Sequence, residues 1–78
     1  MLRTDYRVVL HEGRWKITLA GKDFGPYSTQ KDAIRSAVDA AHIEGQRSPF
    51  GAQVLVQGAN GDFRPEWTYG RDAYPPKG

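Results

Sequence analysis

Tyr6-Arg7-Val8-Val9-Leu10-His11-Glu12-Gly13-Arg14-Trp15-Lys16-Ile17-Thr18-Leu19 alternates twice about a single glycine. Tyr6, Val8 and Leu10 fall on one side of an extended chain, and Trp15, Ile17 and Leu19 do so after the turn. Gly13 therefore marks a hairpin. A two-residue turn at Glu12-Gly13 pairs Leu10 with Trp15 and Val8 with Ile17, whereas a turn at Gly13-Arg14 pairs Leu10 with Ile17. Either register puts all six apolar residues on one face, the consistency that a half-buried hairpin requires.

The stretch Gly21 to Tyr27 carries turn chemistry and leaves two readings open for Phe24 and Tyr27, a short third strand or a lid over the core. Thr29-Gln30-Lys31-Asp32 then has the hydroxyl-x-x-acid spacing of a helix start. Ala33, Ile34, Ala37, Val38 and Ala41 recur at helical spacing, which predicts an amphipathic helix of about four turns that Gly45 ends near Glu44. Its alanine-rich face suits close approach to a sheet.

Downstream, Ala52, Val54 and Val56 alternate with Gln53, Leu55 and Gln57, and Asn60-Gly61 is a strong signal for a two-residue turn. That register sets Val56 opposite Pro65 and Val54 opposite Trp67, so Phe63, Pro65 and Trp67 are expected on the core face. Pro65 lacks an N–H for a ladder, which places its strand at an edge. The expected architecture is α+β, in the order ββαββ, with a four-stranded antiparallel sheet and one amphipathic helix packed on one face. If the strand after the helix lies against the first, the strand order is 2-1-3-4; the order 1-2-3-4 with a parallel central pair stays open.

Length and composition bound the function. The 78 residues suffice for one small α+β domain, residues 1–78, with an irregular proline-rich tail at 70–78. A domain of this size buries only about 60% of its unfolded surface, so little is left to line a deep cavity. The chain has no cysteine, which excludes disulfides and thiolate ligands. The start of the chain has neither a signal-peptide pattern nor a span-length apolar run, so the expected location is cytoplasmic, away from any membrane. His11 and His42 have no partner at ligand spacing, so no metal site is expected. Asp62 and Glu66 stand roughly 13 Å apart on a strand. No nucleophile elbow or phosphate loop occurs. These absences point to a non-enzymatic domain without a cofactor.

Two surfaces stand out. The sheet face away from the helix is expected to carry Arg7, Arg14, Lys16 and Arg64 against Glu66, a basic surface suited to weak nucleic-acid binding. The same face carries Val9 and Leu55 in its middle, and two sheets stacked through them form a homodimer or an adaptor surface. Tyr74-Pro75-Pro76 is pre-stiffened, and it suits either docking on a protein partner or packing across its own domain.

The Gly-Arg-Trp-Lys-Ile strand, the Thr-Gln-Lys-Asp-Ala-Ile helix start, the Val-Leu-Val strand, the Asn-Gly-Asp-Phe turn and the ending Tyr69-Gly70-Arg71-Asp72-Ala73-Tyr74-Pro75-Pro76-Lys77-Gly78 together resemble a small bacterial family. It is the domain-of-unknown-function family numbered, in words, twenty-one eighty-eight. The likeness runs from Tyr6 to Gly78 and is most specific in that ending. Phe63 and Pro65 depart from it, standing where a small aliphatic and a charged residue are expected. The resemblance implies a bacterial domain of this architecture and carries over no catalytic residue. Gly13-Arg14-Trp15-Lys16 and the helix are also similar to sheet-reading DNA-binding domains of the plant AP-two kind and to phage integrase arms, which place three strands before the helix.

Overall fold

A computed structural model describes residues 3–76. Five strands and one helix follow one another as β1 (Thr4–His11), β2 (Arg14–Leu19), β3 (Lys22–Tyr27), α1 (Gln30–Arg47), β4 (Ala52–Gln57) and β5 (Phe63–Thr68). The sheet order is β3-β2-β1-β4-β5.

The first hairpin takes the Glu12-Gly13 turn, with Leu10 opposite Trp15 and Val8 opposite Ile17. Both turn residues have positive φ, 52° and 78°, the geometry that matches the right-handed twist of the flanking strands. The same device recurs at Ala20 and Gly21, at φ 49° and 83°, and folds β3 back on β2.

That third strand corrects the expected four-stranded antiparallel sheet. It reverses the chain once more before the helix, so the helix delivers β4 alongside β1 in the same direction. The sheet is therefore five-stranded and mixed, with β1 and β4 parallel at its centre, Tyr6 beside Val54 and Val8 beside Val56. Of the two strand orders left open, the one that sets the strand after the helix against the first is the one found. Its direction is the reverse of the expected one. Three strands before the helix also match what the sheet-reading domains have, a likeness of architecture that carries no function by itself.

The second hairpin departs from its expected register. Instead of a two-residue turn, Gly58 N–H donates to the Asp62 carbonyl at 2.7 Å and closes a three-residue loop, with Gly61 at φ 88°. This shifts the ladder by one residue, so Val56 lies opposite Arg64 and Leu55 opposite Pro65. A bulge at Glu66 restores the register and leaves Val54 opposite Trp67, as expected. Pro65, which cannot donate to a ladder, sits where the ladder breaks. Phe63 and Pro65 consequently face away from the core, and Arg64 faces the helix side.

The core lies between the helix and one sheet face. Tyr6, Val8, Ile17, Val54, Val56 and Trp67 pack against Ala33, Ala37, Val38 and Ala41. Thr29 caps the helix, its hydroxyl accepting from the Asp32 N–H at 3.1 Å. The helix runs on to Arg47, past its expected end at Glu44, and Gly45 lies inside it. A Cβ at Gly45 would stand 2.2 Å from Cγ of Tyr69, so the glycine serves close packing. No helix among the described residues is long and apolar enough to cross a membrane. Lys77 and Gly78, the end of the tail, lie outside the described residues.

Candidate interaction surface

The sheet face away from the helix is uncovered, and the register orders its side chains in rows across the strands. Asp5, Gln53 and Thr68 form the first row, and Asp23, Thr18, Arg7, Leu55 and Pro65 the second. Lys16 and Val9 lie beside each other in the third, which Gln57 and Phe63 continue on β4 and β5. His11 and Arg14 close the face at the hairpin tip.

Three of the four expected cations are on this face, and two of them have acidic neighbours. Lys16 Nζ lies 3.0 Å from Asp23, and Arg7 lies 3.6 Å from Asp5, a carboxylate it shares with Arg3 at 2.9 Å. Arg14 has no ion-pair partner among the described residues. Arg64 is on the other side of the sheet, beside Leu10, Trp15 and Gln30. The four-to-one basic excess expected from sequence is thus reduced, because the shifted register removes both Arg64 and Glu66 from the face and β3 adds Asp23. This smaller basic excess limits the counterion release that drives binding to a nucleic-acid backbone.

The apolar content moves the other way. Val9 and Leu55 are half-buried at the centre, and the shifted ladder turns Pro65 out beside Leu55 and Phe63 out beside Gln57. Phe63 is 40% exposed, and the Arg7 guanidinium lies over its ring, 5.8 Å from the centroid. Sequence reasoning assigned Phe63 and Pro65 to the core; a proline inside a strand was the available signal for the bulge that turns them out. Gln53, whose amide donates to the Thr68 hydroxyl at 2.9 Å, is buried at one margin.

The tail is clasped to its own domain. Gly70, at φ 81°, turns the chain so that the Asp72 carboxylate accepts from the Thr68 N–H at 2.8 Å. The Trp67 indole N–H donates to the Ala73 carbonyl at 2.9 Å. Tyr74 stacks on His42, with ring centroids 3.7 Å apart and planes 4° from parallel, and donates its hydroxyl to Asp39 at 2.8 Å. Pro75 and Pro76 wall a shallow groove of about 610 Å³ together with Ile34 and Arg35. Of the two uses open to Tyr74, Pro75 and Pro76, packing across their own domain is the one seen.

The phenol of Tyr74 titrates above the ordinary tyrosine range, chiefly because its hydroxyl donates to the Asp39 carboxylate. A raised folded-state value means that this contact contributes fully below pH 10 and is lost as the pH climbs through the raised value. Asp39→Asn is expected to return the titration of Tyr74 toward the ordinary value. A titration of Tyr74 followed by ring carbon shifts reads this directly, and an unchanged midpoint would contradict it.

A helix on one sheet face, an open opposite face, and a C-terminal segment locked to the helix define a small open-faced α+β domain. Among the described residues no three His, Cys, Asp or Glu side chains converge to hold a metal ion. The chain belongs to the bacterial family DUF2188, described as an uncharacterized protein conserved in bacteria, whose pattern matches residues 6–69. No curated protein and no solved structure matches it. The matched span stops at Tyr69, so the clasped ending lies beyond it except for that first residue.

Proposed function

We propose that the domain is a non-enzymatic interaction module whose working surface is the open sheet face and whose partner is a protein. The observation that carries this reading is the shifted ladder of β5, which turns Phe63 and Pro65 outward beside Gln57 and Leu55. Val9, Leu55, Phe63 and Pro65 then share one uncovered face, and apolar side chains gathered on an open face mark a contact site. The sheet edges offer no rival mode. Each carries a proline and a register break, Pro26 in β3 and Pro65 in β5, which discourages the addition of a further strand.

Nucleic-acid binding through Arg7, Arg14 and Lys16 is the competing reading, and salt separates the two. Titration of the labelled protein with short duplex DNA and structured RNA at low salt is expected to leave the amides of these residues unshifted. Anilinonaphthalene sulfonate, an apolar probe, is expected to shift Val9, Leu55 and Phe63. Shifts produced by nucleic acid at Arg7, Arg14 and Lys16 that fade as salt rises would replace the protein-contact reading with the nucleic-acid one.

A further inference from the structure

Beyond the open face, we propose that the surface under the clasped tail is a peptide-binding site. Its occupant in trans is an extended segment of a partner protein that carries a tyrosine, two prolines and then an acidic residue. The tail shows what this surface recognises. The Trp67 indole N–H donates to the backbone carbonyl of Ala73 at 2.9 Å, and the His42 ring stacks on Tyr74 with centroids 3.7 Å apart. The Asp39 carboxylate accepts from the phenol at 2.8 Å, and Ile34 and Arg35 line the groove beside Pro75 and Pro76. An aromatic-lined groove that takes a pre-stiffened proline segment is a recurring mode of peptide recognition. Asp39 adds a requirement for a hydroxyl donor, which tyrosine meets and phenylalanine does not.

The tail holds this site without being built into the domain. Residues 70–76 are all exposed, and none of them belongs to the hydrophobic core. Segments with exposed hydrogen bonds and few buried apolar contacts open at a lower free energy than the whole domain, so the clasp releases while sheet and helix stay folded. Charge sets the preference for a partner. Lys31 and Arg35 line the groove beside Pro76 against Glu66, and neither cation has an ion-pair partner among the described residues. An acidic residue after the second proline gains an attraction there, whereas the residue that follows Pro76 in this chain, Lys77, is itself a cation. The tethered tail competes at an effective concentration of about millimolar, which gates the site.

Two short peptides test this, Asp-Ala-Tyr-Pro-Pro-Glu and the same sequence ending in lysine, each read on the Trp67 indole N–H and the His42 ring of the isotopically labelled full chain. Tyr74→Ala removes the stack and the phenol contact. It is expected to bind the acidic peptide at least about tenfold more tightly than the unmodified chain does, because the competing tail is released. In the unmodified chain an excess of that peptide shifts the Tyr74 ring toward the values of free tyrosine. In the Tyr74→Ala chain the lysine peptide is expected to bind about threefold more weakly than the acidic one. Phenylalanine in place of the peptide's tyrosine weakens binding by about fivefold, and Asp39→Ala abolishes that preference. Tyr74→Phe keeps the ring and loses only the phenol contact, so it gives a smaller gain in affinity and serves in place of a Tyr74→Ala chain that does not fold.

A folded Tyr74→Ala chain whose Trp67 and His42 signals neither peptide moves overturns the site. Equal affinity for the two peptides overturns the acidic partner. Filling of the Tyr74→Ala site by the tail of added unmodified chain, but by neither peptide, makes the occupant a second copy and overturns the peptide partner. These signals lie on the helix and at Trp67, away from Val9, Leu55 and Phe63, so failure here is distinguishable from failure of the open-face reading.

Discussion

Trp67→Ala is expected to cost the chain about half of its stability and to lower its thermal midpoint sharply. Trp67 is 2% exposed and sits where β5 returns to register, its ring edge-on to Tyr69 and Tyr74. Truncating a buried tryptophan costs about 3–5 kcal/mol. The indole N–H also holds the Ala73 carbonyl, and losing that bond adds about 1 kcal/mol. A domain of 78 residues has only about 4–12 kcal/mol of stability in total, at about 0.05–0.15 kcal/mol per residue. The tail is loosened with the ring, because Tyr74 meets Trp67 edge-to-face. Trp67→Phe keeps most of the apolar volume and loses the hydrogen bond, and is expected to fold with a lowered thermal midpoint. Thermal unfolding followed by circular dichroism distinguishes these outcomes, and a Trp67→Ala chain that melts like the parent would contradict the placement of this residue.

The second large effect has a sign that the local sequence gets wrong. Helix propensity alone makes Gly45→Ala stabilising by about 1 kcal/mol. The structure gives the opposite expectation, because the added Cβ would lie 2.2 Å from the Tyr69 ring. Overlap of that depth belongs at the upper end of the overpacking range, about 3 kcal/mol, so the net loss is about 2 kcal/mol. For a domain this small the midpoint falls by about 8–16 °C. In a Tyr69→Ala background the clash is gone and the same Gly45→Ala change should stabilise. That reversal of sign, measured as a double-mutant cycle, isolates the glycine–ring contact from any general effect on the helix.

Gly45 also shows how far the sequence could be read. Its two familiar meanings, helix stop and close packing, are indistinguishable until the partner ring is known, and Tyr69 is far away in the chain. The first hairpin was legible because alternation and a glycine agree, and its outward residues Arg7, Val9, Arg14 and Lys16 are where the pattern puts them. The cap at Thr29 was legible for the same local reason. β3 was legible only as one of two readings of Phe24 and Tyr27, since Lys22–Tyr27 is an edge strand exposed along most of its length and has no apolar period to read. Leaving it out of the expected sheet reversed the direction of β4 relative to β1. In the second hairpin the shift at the three-residue loop and its recovery at Glu66 cancel by Trp67. The inward residue at the far end was therefore assigned correctly, while Phe63, Pro65 and Arg64 between them were assigned to the wrong sides.

Those three residues decide the character of the open face. With Phe63 and Pro65 buried and Arg64 outward, the face is basic and suits nucleic acid. With the observed register Phe63 and Pro65 are outward and Arg64 inward, which lowers the basic excess and supports the protein-contact reading proposed above.

The most direct test of that difference is a titration of the isotopically labelled chain with anilinonaphthalene sulfonate and, separately, with short duplex DNA, read at every amide at two salt concentrations. The expected result is shifts produced by the apolar probe at Val9, Leu55, Gln57 and Phe63, with the helix and clasped tail unmoved and no shifts produced by DNA. Probe shifts spread over the helix and tail, or an open face unmoved by the probe but perturbed by DNA at low salt, would contradict the account.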